Sequence, residues 1–471
     1  VFACFFSHFH QLMITDSGGA MNNHKISIGQ TIAIGFMLFA LFFGAGNLIF
    51  PPALGQAAGE HFWPAIVGFL LTGVGLPLLG VLALGLSGHN HVQSMANKIN
   101  PVFSLLFTVI LYLCSGLFFA SPRTCMASYK IAIAPFLPDR SGGFDIGLFI
   151  YSILYFAIVG WVSLKPGKIV DRVGKILTPA LLLILFILLT VTFVNPIDRP
   201  MEPVSDYIDN AFVKGFQEGY LTLDTLASFV FGIVVIRAIK DMGVTDKKGI
   251  AASTIKSGLI ACGCLGAIYI GLGYLGNTTN VAAGEANNGP QILTFATNAH
   301  FGVYGNLILG LAIFFACLTT AIGVIASCAT YFEHLLPKLS YRQLAVIFTV
   351  FSATAANIGL NQLIAISVPV LFVLYPIAIV LIVLTLTEPL FKGRLEVYRW
   401  SLLFTGIFSI FDGINVAGIP VGGFTDFLTK YLPLFSAGMG WLVPALAGAV
   451  IGLVISLATR PSDSSSIQKA N

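Results

Sequence analysis

The chain of 471 residues is 56% hydrophobic and only 9% charged, with a formal net charge of +4 and a mean hydropathy of +0.90. Soluble domains carry about 25% charged residues, so this chain lacks the polar surface to cover itself in water. That excludes a soluble enzyme, a disordered protein and a disulfide-rich secreted fold, and leaves an integral membrane protein; no Lys/Arg-rich run supports nucleic acid as a partner.

Residues 1–20 are unlike the rest. The stretch 1–9 is apolar but has neither a basic flank nor a cleavage site, which argues against a signal peptide. Met21, followed by Asn22, Asn23, His24 and Lys25, reads as the more natural start, so 1–20 is read as an over-extended start and 1–27 as a cytoplasmic tail. A bilayer core needs about 20 apolar residues per helix. Such runs number about twelve: 28–58 (interrupted), 63–86, 102–120, 146–164, 176–194, 212–239, 250–275, 304–332, 344–360, 363–384, 400–419 and 435–457. They are helices, because lipid satisfies no backbone hydrogen bond and the alternation of a β-barrel is absent. The ninth is short and joins the tenth across Asn361-Gln362. With the N-terminus inside, 18 of the 24 Lys and Arg fall in inside segments, which is expected to place both termini in the cytoplasm. The tail 459–471 is Ser-rich and expected to be disordered.

The seven Cys lie mostly in apolar runs without metal-site company and read as packing residues. Cys262 and Cys264, two apart on a helix, point in different directions and are not a redox pair. The eight His are scattered, so a metal-dependent membrane enzyme lacks ligands.

Two spans are interrupted. In the first, Gly44, Gly46, Asn47, Pro51 and Pro52 gather in nine residues. A Gly inside a helix costs about 1 kcal/mol and a Pro about 3, so the helix is expected to unwind there, which is tolerated at membrane depth only where the backbone lines a cavity or is buried in protein. In the sixth, the run from Phe216 to Asp224 carries Gly219, Thr222 and an acid at least ten residues from Arg237. An acid that deep costs about 2.5–3.5 kcal/mol on insertion scales and by default marks an ion or substrate path. Spans one and six are five apart, and an odd offset reverses orientation, so 28–195 and 205–386 read as inverted repeats. Interrupted helices in corresponding places of two such halves point to a transporter's midplane site. The amides of Gly44 and Gly46 are candidates for a carboxylate, and Asp224 for an ammonium group.

The run Phe39-Ala40-Leu41-Phe42-Phe43-Gly44-Ala45-Gly46-Asn47-Leu48-Ile49-Phe50-Pro51-Pro52 resembles the first-helix signature of the bacterial branched-chain amino acid:cation symporters. Pro122-Arg123-Thr124 and the segment Gly219-Tyr220 to Ala227, with Thr222 and Asp224, look similar as well. The resemblance implies an all-α LeuT-like fold of five-plus-five inverted helices with broken helices 1 and 6, peripheral helices at 398–458, and import of leucine, isoleucine and valine across the cytoplasmic membrane, driven by sodium in most members. It places substrate against Phe42, Gly44, Ala45, Gly46, Tyr220, Leu221 and Asp224. Ala316, Thr319 and Thr320 look like the sodium pattern of such carriers, completed by the carbonyls of Ala40 and Phe43. A second ion at Asn47 and Thr222 is compatible but not demanded by the sequence. Sodium is thus the coupling ion and no other cofactor is implied. One departure stands out: Tyr129-Lys130 occupies a place where the family leads one to expect an acid, which puts the role of that acid in doubt here.

Asp412 is expected at an outer helix break, and Arg123 reads as an interfacial anchor or a gate. A channel would need pore-lining repeats or charged rings, and an intramembrane hydrolase a nucleophile with a facing base; the sequence has neither. The competing carrier reading is a related amino acid carrier with another substrate or proton coupling. Oligomeric state is not legible.

Overall fold

The computed structural model describes residues 26–87, 92–137, 145–164, 169–279, 288–419 and 423–459. Residues 1–20, which the sequence suggests are an over-extended start, and all of the expected tail 459–471 except Thr459 lie outside the described residues. Among the described residues all regular structure is helical. The first span is α1 (Ile28–Phe42) and α2 (Ala45–Ala58). The second is α3 (Phe62–Leu70) and α4 (Leu76–Ser87), joined by a π-helical turn at Leu71–Gly75. After the short α5 (Val92–Asn97), the third consists of α6 (Pro101–Tyr112), a π-helical turn at Leu113–Phe118 and α7 (Ala120–Ala132). The fourth and fifth are α8 (Ile146–Ser163) and α9 (Ile169–Val194); the sixth is α10 (Tyr207–Glu218), a 3-10 turn at Gly219–Thr222 and α11 (Asp224–Asp241). Then follow α12 (Lys247–Asn277), α13 (Gly289–Leu335), α14 (Tyr341–Ala355), α15 (Leu360–Leu386), α16 (Leu395–Val416), the short α17 (Gly423–Tyr431) and α18 (Leu442–Thr459).

Each expected apolar run carries helix. Seven helical runs are long and apolar enough to cross a membrane unaided, and the α10–α11 pair, bent by 44°, makes an eighth. Two of the seven turn sharply within their length: Gly59, at φ +49°, separates α2 from the second span, and Gly302, at φ +62°, separates a lead-in helix from the eighth span within α13. Starts follow local capping chemistry. Ser27 with Gln30, and Ser340 with Gln343, form reciprocal caps, while Asn100 and Asp145 accept first-turn amides.

Several boundaries depart from expectation. The first break is confined to Phe43 and Gly44, and α2 runs through Pro51 and Pro52. A proline keeps helical φ but removes its own amide and crowds the carbonyl four residues before it; the close seam with α12 holds α2 in place against that cost. A Cβ on Gly55 would come within 1.8 Å of Gly273 O, and one on Gly276 within 2.0 Å of Pro52 O. The third span continues well past residue 120, through α7. The ninth and tenth spans part at Gly359, with φ +101°, rather than at Asn361-Gln362. The twelfth starts only at Leu442, after a stretch of turns.

The interrupted spans sit at the centre. Helix α3 packs on α10 and α4 on α11, while α12 packs on both α1 and α2. Beside them α7 packs against α13. Outside these, α16 packs against α15 and α18. The polarity is that of a membrane protein: Trp161 and Phe186 are 71% and 68% exposed, whereas Asn47, Arg123 and Asp224 are buried.

Candidate functional site

Helix α1 ends where Phe43 turns extended, its amide still bonded to Phe39 O. Gly44 follows in extended conformation, and Asn47 on the first turn of α2 reaches back so that its Oδ1 accepts the Gly44 N–H at 2.6 Å. Across from it α10 tightens into the 3-10 turn, and Leu223 takes a left-handed conformation at φ 68° before α11 begins. Such a conformation in a residue with a Cβ costs on the order of 1–3 kcal/mol and persists only where its surroundings enforce it. Here they do. Thr72 Oγ1, in the π-helical turn of the second span, donates to Phe216 O at 2.7 Å, and Arg123 Nη1 donates to Leu221 O at 2.8 Å. Thr222 Oγ1 donates to Gly219 O at 3.0 Å. Carbonyls released by the break therefore have partners, as helix ends buried in a bilayer require.

The two breaks touch. A Cβ on Gly46 would lie 3.0 Å from Thr222 O, so only glycine lets the backbones approach this closely. Asp224, 2% exposed, joins three spans: its Oδ2 accepts from Asn47 Nδ2 at 2.8 Å and from the Tyr269 hydroxyl at 2.7 Å. Asn47 Nδ2 also meets the Tyr269 hydroxyl. Tyr269, on α12, had no motif to announce it. It is one of two phenols in that long apolar helix, and nothing in the sequence sets it apart from Tyr274.

A small cavity of about 40 Å3 lies between the breaks. Of the substrate residues expected from the sequence, Phe42, Gly44, Ala45, Gly46 and Asp224 line it. Tyr220 and Leu221 are not among its lining residues. The Tyr220 ring stacks on Tyr375 at 4.5 Å and meets Phe372 edge-on, and Leu221 contributes its carbonyl to Arg123. Asn47, Thr222 and Thr320 also line the cavity.

At its edge Thr320, one of the residues expected to hold a cation, meets Phe43 across the break. Ala316 O accepts from Thr319 Oγ1 at 2.8 Å and Thr320 Oγ1 at 3.1 Å, and Thr320 Oγ1 also reaches Phe43 O at 3.3 Å. The end of α1 and the middle of α13 thus meet through carbonyl and hydroxyl oxygens, a donor set suited to a hard cation and poor for a transition metal. Ala40 is half-buried one turn before Phe43. At the second position, Asn47 spends its oxygen on Gly44 and turns its nitrogen to Asp224, so in this arrangement it offers a cation no free oxygen.

Two residues sit otherwise than expected. Arg123 is no interfacial anchor: it is 1% exposed and lines the cavity, because the third span continues past it. Asp412 lies inside α16 rather than at a break. It is 1% exposed and accepts the Trp441 amide at 3.2 Å, fastening the turn before α18. Lys130, in the last turn of α7, does not line the cavity.

Broken helices that meet over a shared cavity, inside a bundle of apolar helices, are the architecture of a secondary transporter. The structure superposes on Mhp1, a nucleobase-cation-symport-1 family transporter in a closed conformation with bromovinylhydantoin bound, with a TM-score of 0.61 at 12% identity, covering 91% of this chain and 92% of that one. It also superposes on MhsT in complex with L-phenylalanine, with a TM-score of 0.51 at 15% identity, covering 90% and 98%. At such identities these likenesses establish the fold, a LeuT-like one. Residues 27–459 match the family described as branched-chain amino acid transport protein, and the chain belongs to that family. It is 49% identical over 442 residues to the branched-chain amino acid permease BraB of Bacillus subtilis, covering 93% of this chain and 98% of that one. It is 47% identical over 433 residues to the permease BrnQ of the same organism, covering 92% and 98%. The branched-chain amino acid transport system 2 carrier protein of Pseudomonas aeruginosa is 44% identical over 423 residues, covering 90% and 95%. These relatives are permeases and carriers, not enzymes.

Proposed function

We propose that this protein imports branched-chain amino acids across the bacterial cytoplasmic membrane by cation symport, with sodium as the coupling ion and both termini in the cytoplasm. Membership of the family and the extent of identity to named permeases support the substrate class. The orientation rests on the Lys/Arg asymmetry of the loops. The observation that carries the coupling is the meeting of Thr320 Oγ1 with Phe43 O. A cation among these oxygens ties α1 to α13 and so favours one arrangement of the bundle over another, which is how ion binding is made to drive substrate movement. One methylene in an apolar pocket is worth only about 1–3 kcal/mol, so leucine, isoleucine and valine are taken together.

Proton coupling is the second reading, favoured by Asp224: a buried carboxylate whose Oδ2 is held by two neutral donors is suited to carry a proton. Uptake of labelled leucine into proteoliposomes separates the two. Accumulation that follows an inward sodium gradient and persists when the pH gradient is collapsed supports sodium symport. Accumulation that needs only the pH gradient supports the proton, and no saturable uptake under either gradient overturns the carrier reading.

A further inference from the structure

Arg123 and Asp224 line the same cavity, and each is a buried charge held by neutral groups. Arg123 Nη1 donates to Leu221 O and its Nη2 to Ser367 Oγ on α15, while Nε is buried with no partner. The faces of Phe50 and Phe119 lie 5.5 and 5.9 Å from the guanidinium, but no carboxylate is paired with it. Among the described residues the salt bridges are made by Lys98 and Lys214. Asp224 is its counterpart, an acid whose Oδ2 accepts from Asn47 and Tyr269 and which makes no ion pair. A charge removed from water needs an opposite charge as well as hydrogen bonds. The cavity wall therefore carries one uncompensated cation and one uncompensated anion, and a zwitterion neutralises both at once.

We propose that Arg123 is a substrate-binding and specificity-determining residue that takes the carboxylate of the amino acid, in place of the Gly44 amide, which already donates to Asn47 Oδ1, while the ammonium group faces Asp224. This rests on the amino acid carrier reading above. The fit is chemical: guanidinium offers five N–H donors in a planar fork matched to a carboxylate, and two of its nitrogens are already anchored to α15 and to the break before α11, so the group is pre-positioned. An amide leaves Arg123 unpaired, and a plain carboxylic acid leaves Asp224 unpaired. Both are rejected by charge, whatever the shape of the side chain.

The test is binding of leucine, leucinamide and 4-methylpentanoate to the purified full chain, with Arg123→Gln and Arg123→Lys beside the unsubstituted protein. The unsubstituted protein should prefer leucine to either analogue by at least about 100-fold, since an analogue that lacks one charge strands its buried partner unpaired. Arg123→Gln should lose leucine affinity while keeping that for leucinamide, so that the leucine-to-leucinamide ratio falls at least about tenfold. A general distortion of the bundle would instead weaken both ligands alike and leave the ratio unchanged, which overturns the proposal. Should the Gln variant not insert, Arg123→Lys decides. It keeps the charge without the fork, so leucine should weaken more than leucinamide, the ratio falling below that of the unsubstituted protein yet staying above that of the Gln variant; equal weakening of both ligands, with the ratio unchanged, again overturns the proposal. Absence of leucine binding and uptake in the unsubstituted protein is a separate outcome: it refutes the amino acid carrier reading on which the proposal stands.

Discussion

Asn47 donates to Asp224 Oδ2 at 2.8 Å, and this one bond ties the first turn of α2 to the first residue of α11. Because Asn47 Oδ1 also accepts the Gly44 amide, a single side chain links the conformation of one break to the charge at the other. A ligand that draws on Asp224 is thereby felt at Gly44.

That link predicts how Asp224→Asn behaves. The substitution keeps the shape and replaces a charged acceptor by a neutral one, and a hydrogen bond to a charged group is worth about 1.5–3 kcal/mol. Leucine affinity should fall roughly 10- to 100-fold at neutral pH, while the amount of protein inserted in the membrane stays close to that of the parent. Isothermal titration with leucine between pH 5 and 8 checks this. Unchanged affinity and coupling across that range would leave Asp224 with a purely structural part.

The oxygen cluster between α1 and α13 predicts a sodium phenotype. Thr319→Val with Thr320→Val removes both hydroxyls at nearly constant volume. With each oxygen–cation contact worth on the order of 1.5–3 kcal/mol, losing two should raise the sodium concentration for half-maximal uptake by at least about 100-fold, or uptake should cease. Normal uptake with unchanged sodium dependence sinks the assignment.

Gly46 separates site geometry from stability. In Gly46→Ala the new Cβ would sit 3.0 Å from Thr222 O and 3.1 Å from its Cα, so the two breaks must part by a few tenths of an ångström. Leucine affinity should drop while the melting temperature in detergent moves little. Gly55→Ala is the contrast. Its Cβ would meet Gly273 O at 1.8 Å, backbone that cannot yield, and overpacking of this kind costs about 1–3 kcal/mol, read as a lower melting temperature. If the two variants behave alike, Gly46 serves packing only.

Asp412 predicts a difference between two substitutions. Asp412→Ala leaves the Trp441 amide without its acceptor, a loss of about 1–3 kcal/mol when buried, whereas Asp412→Asn keeps an oxygen in place. The Ala variant should melt earlier and the Asn variant close to the parent, with uptake preserved in the latter. Loss of uptake in a stable Asn variant would show that the charge of Asp412, not its hydrogen bond, is what transport needs.

The apolar runs, the two interruptions and the family signature were legible in the chain because each acts on its own backbone. About 20 apolar residues make a bilayer helix wherever they stand, and Gly44 needs no partner to end α1. What surrounds the breaks was decided by the tertiary structure. Nothing local told that Tyr269 would meet Asp224, that Thr72 would hold Phe216 O, or that Arg123 would face the cavity rather than the membrane surface. Nor did it tell that Tyr220 would turn to Tyr375 and away from the cavity, since the rotation of a helix about its axis is set by what packs against it. Asn47 and Asp224 stand 177 residues apart. A pattern within one helix determines whether it spans and where it breaks, but a buried charge takes its partner from whichever distant helix the packing brings beside it.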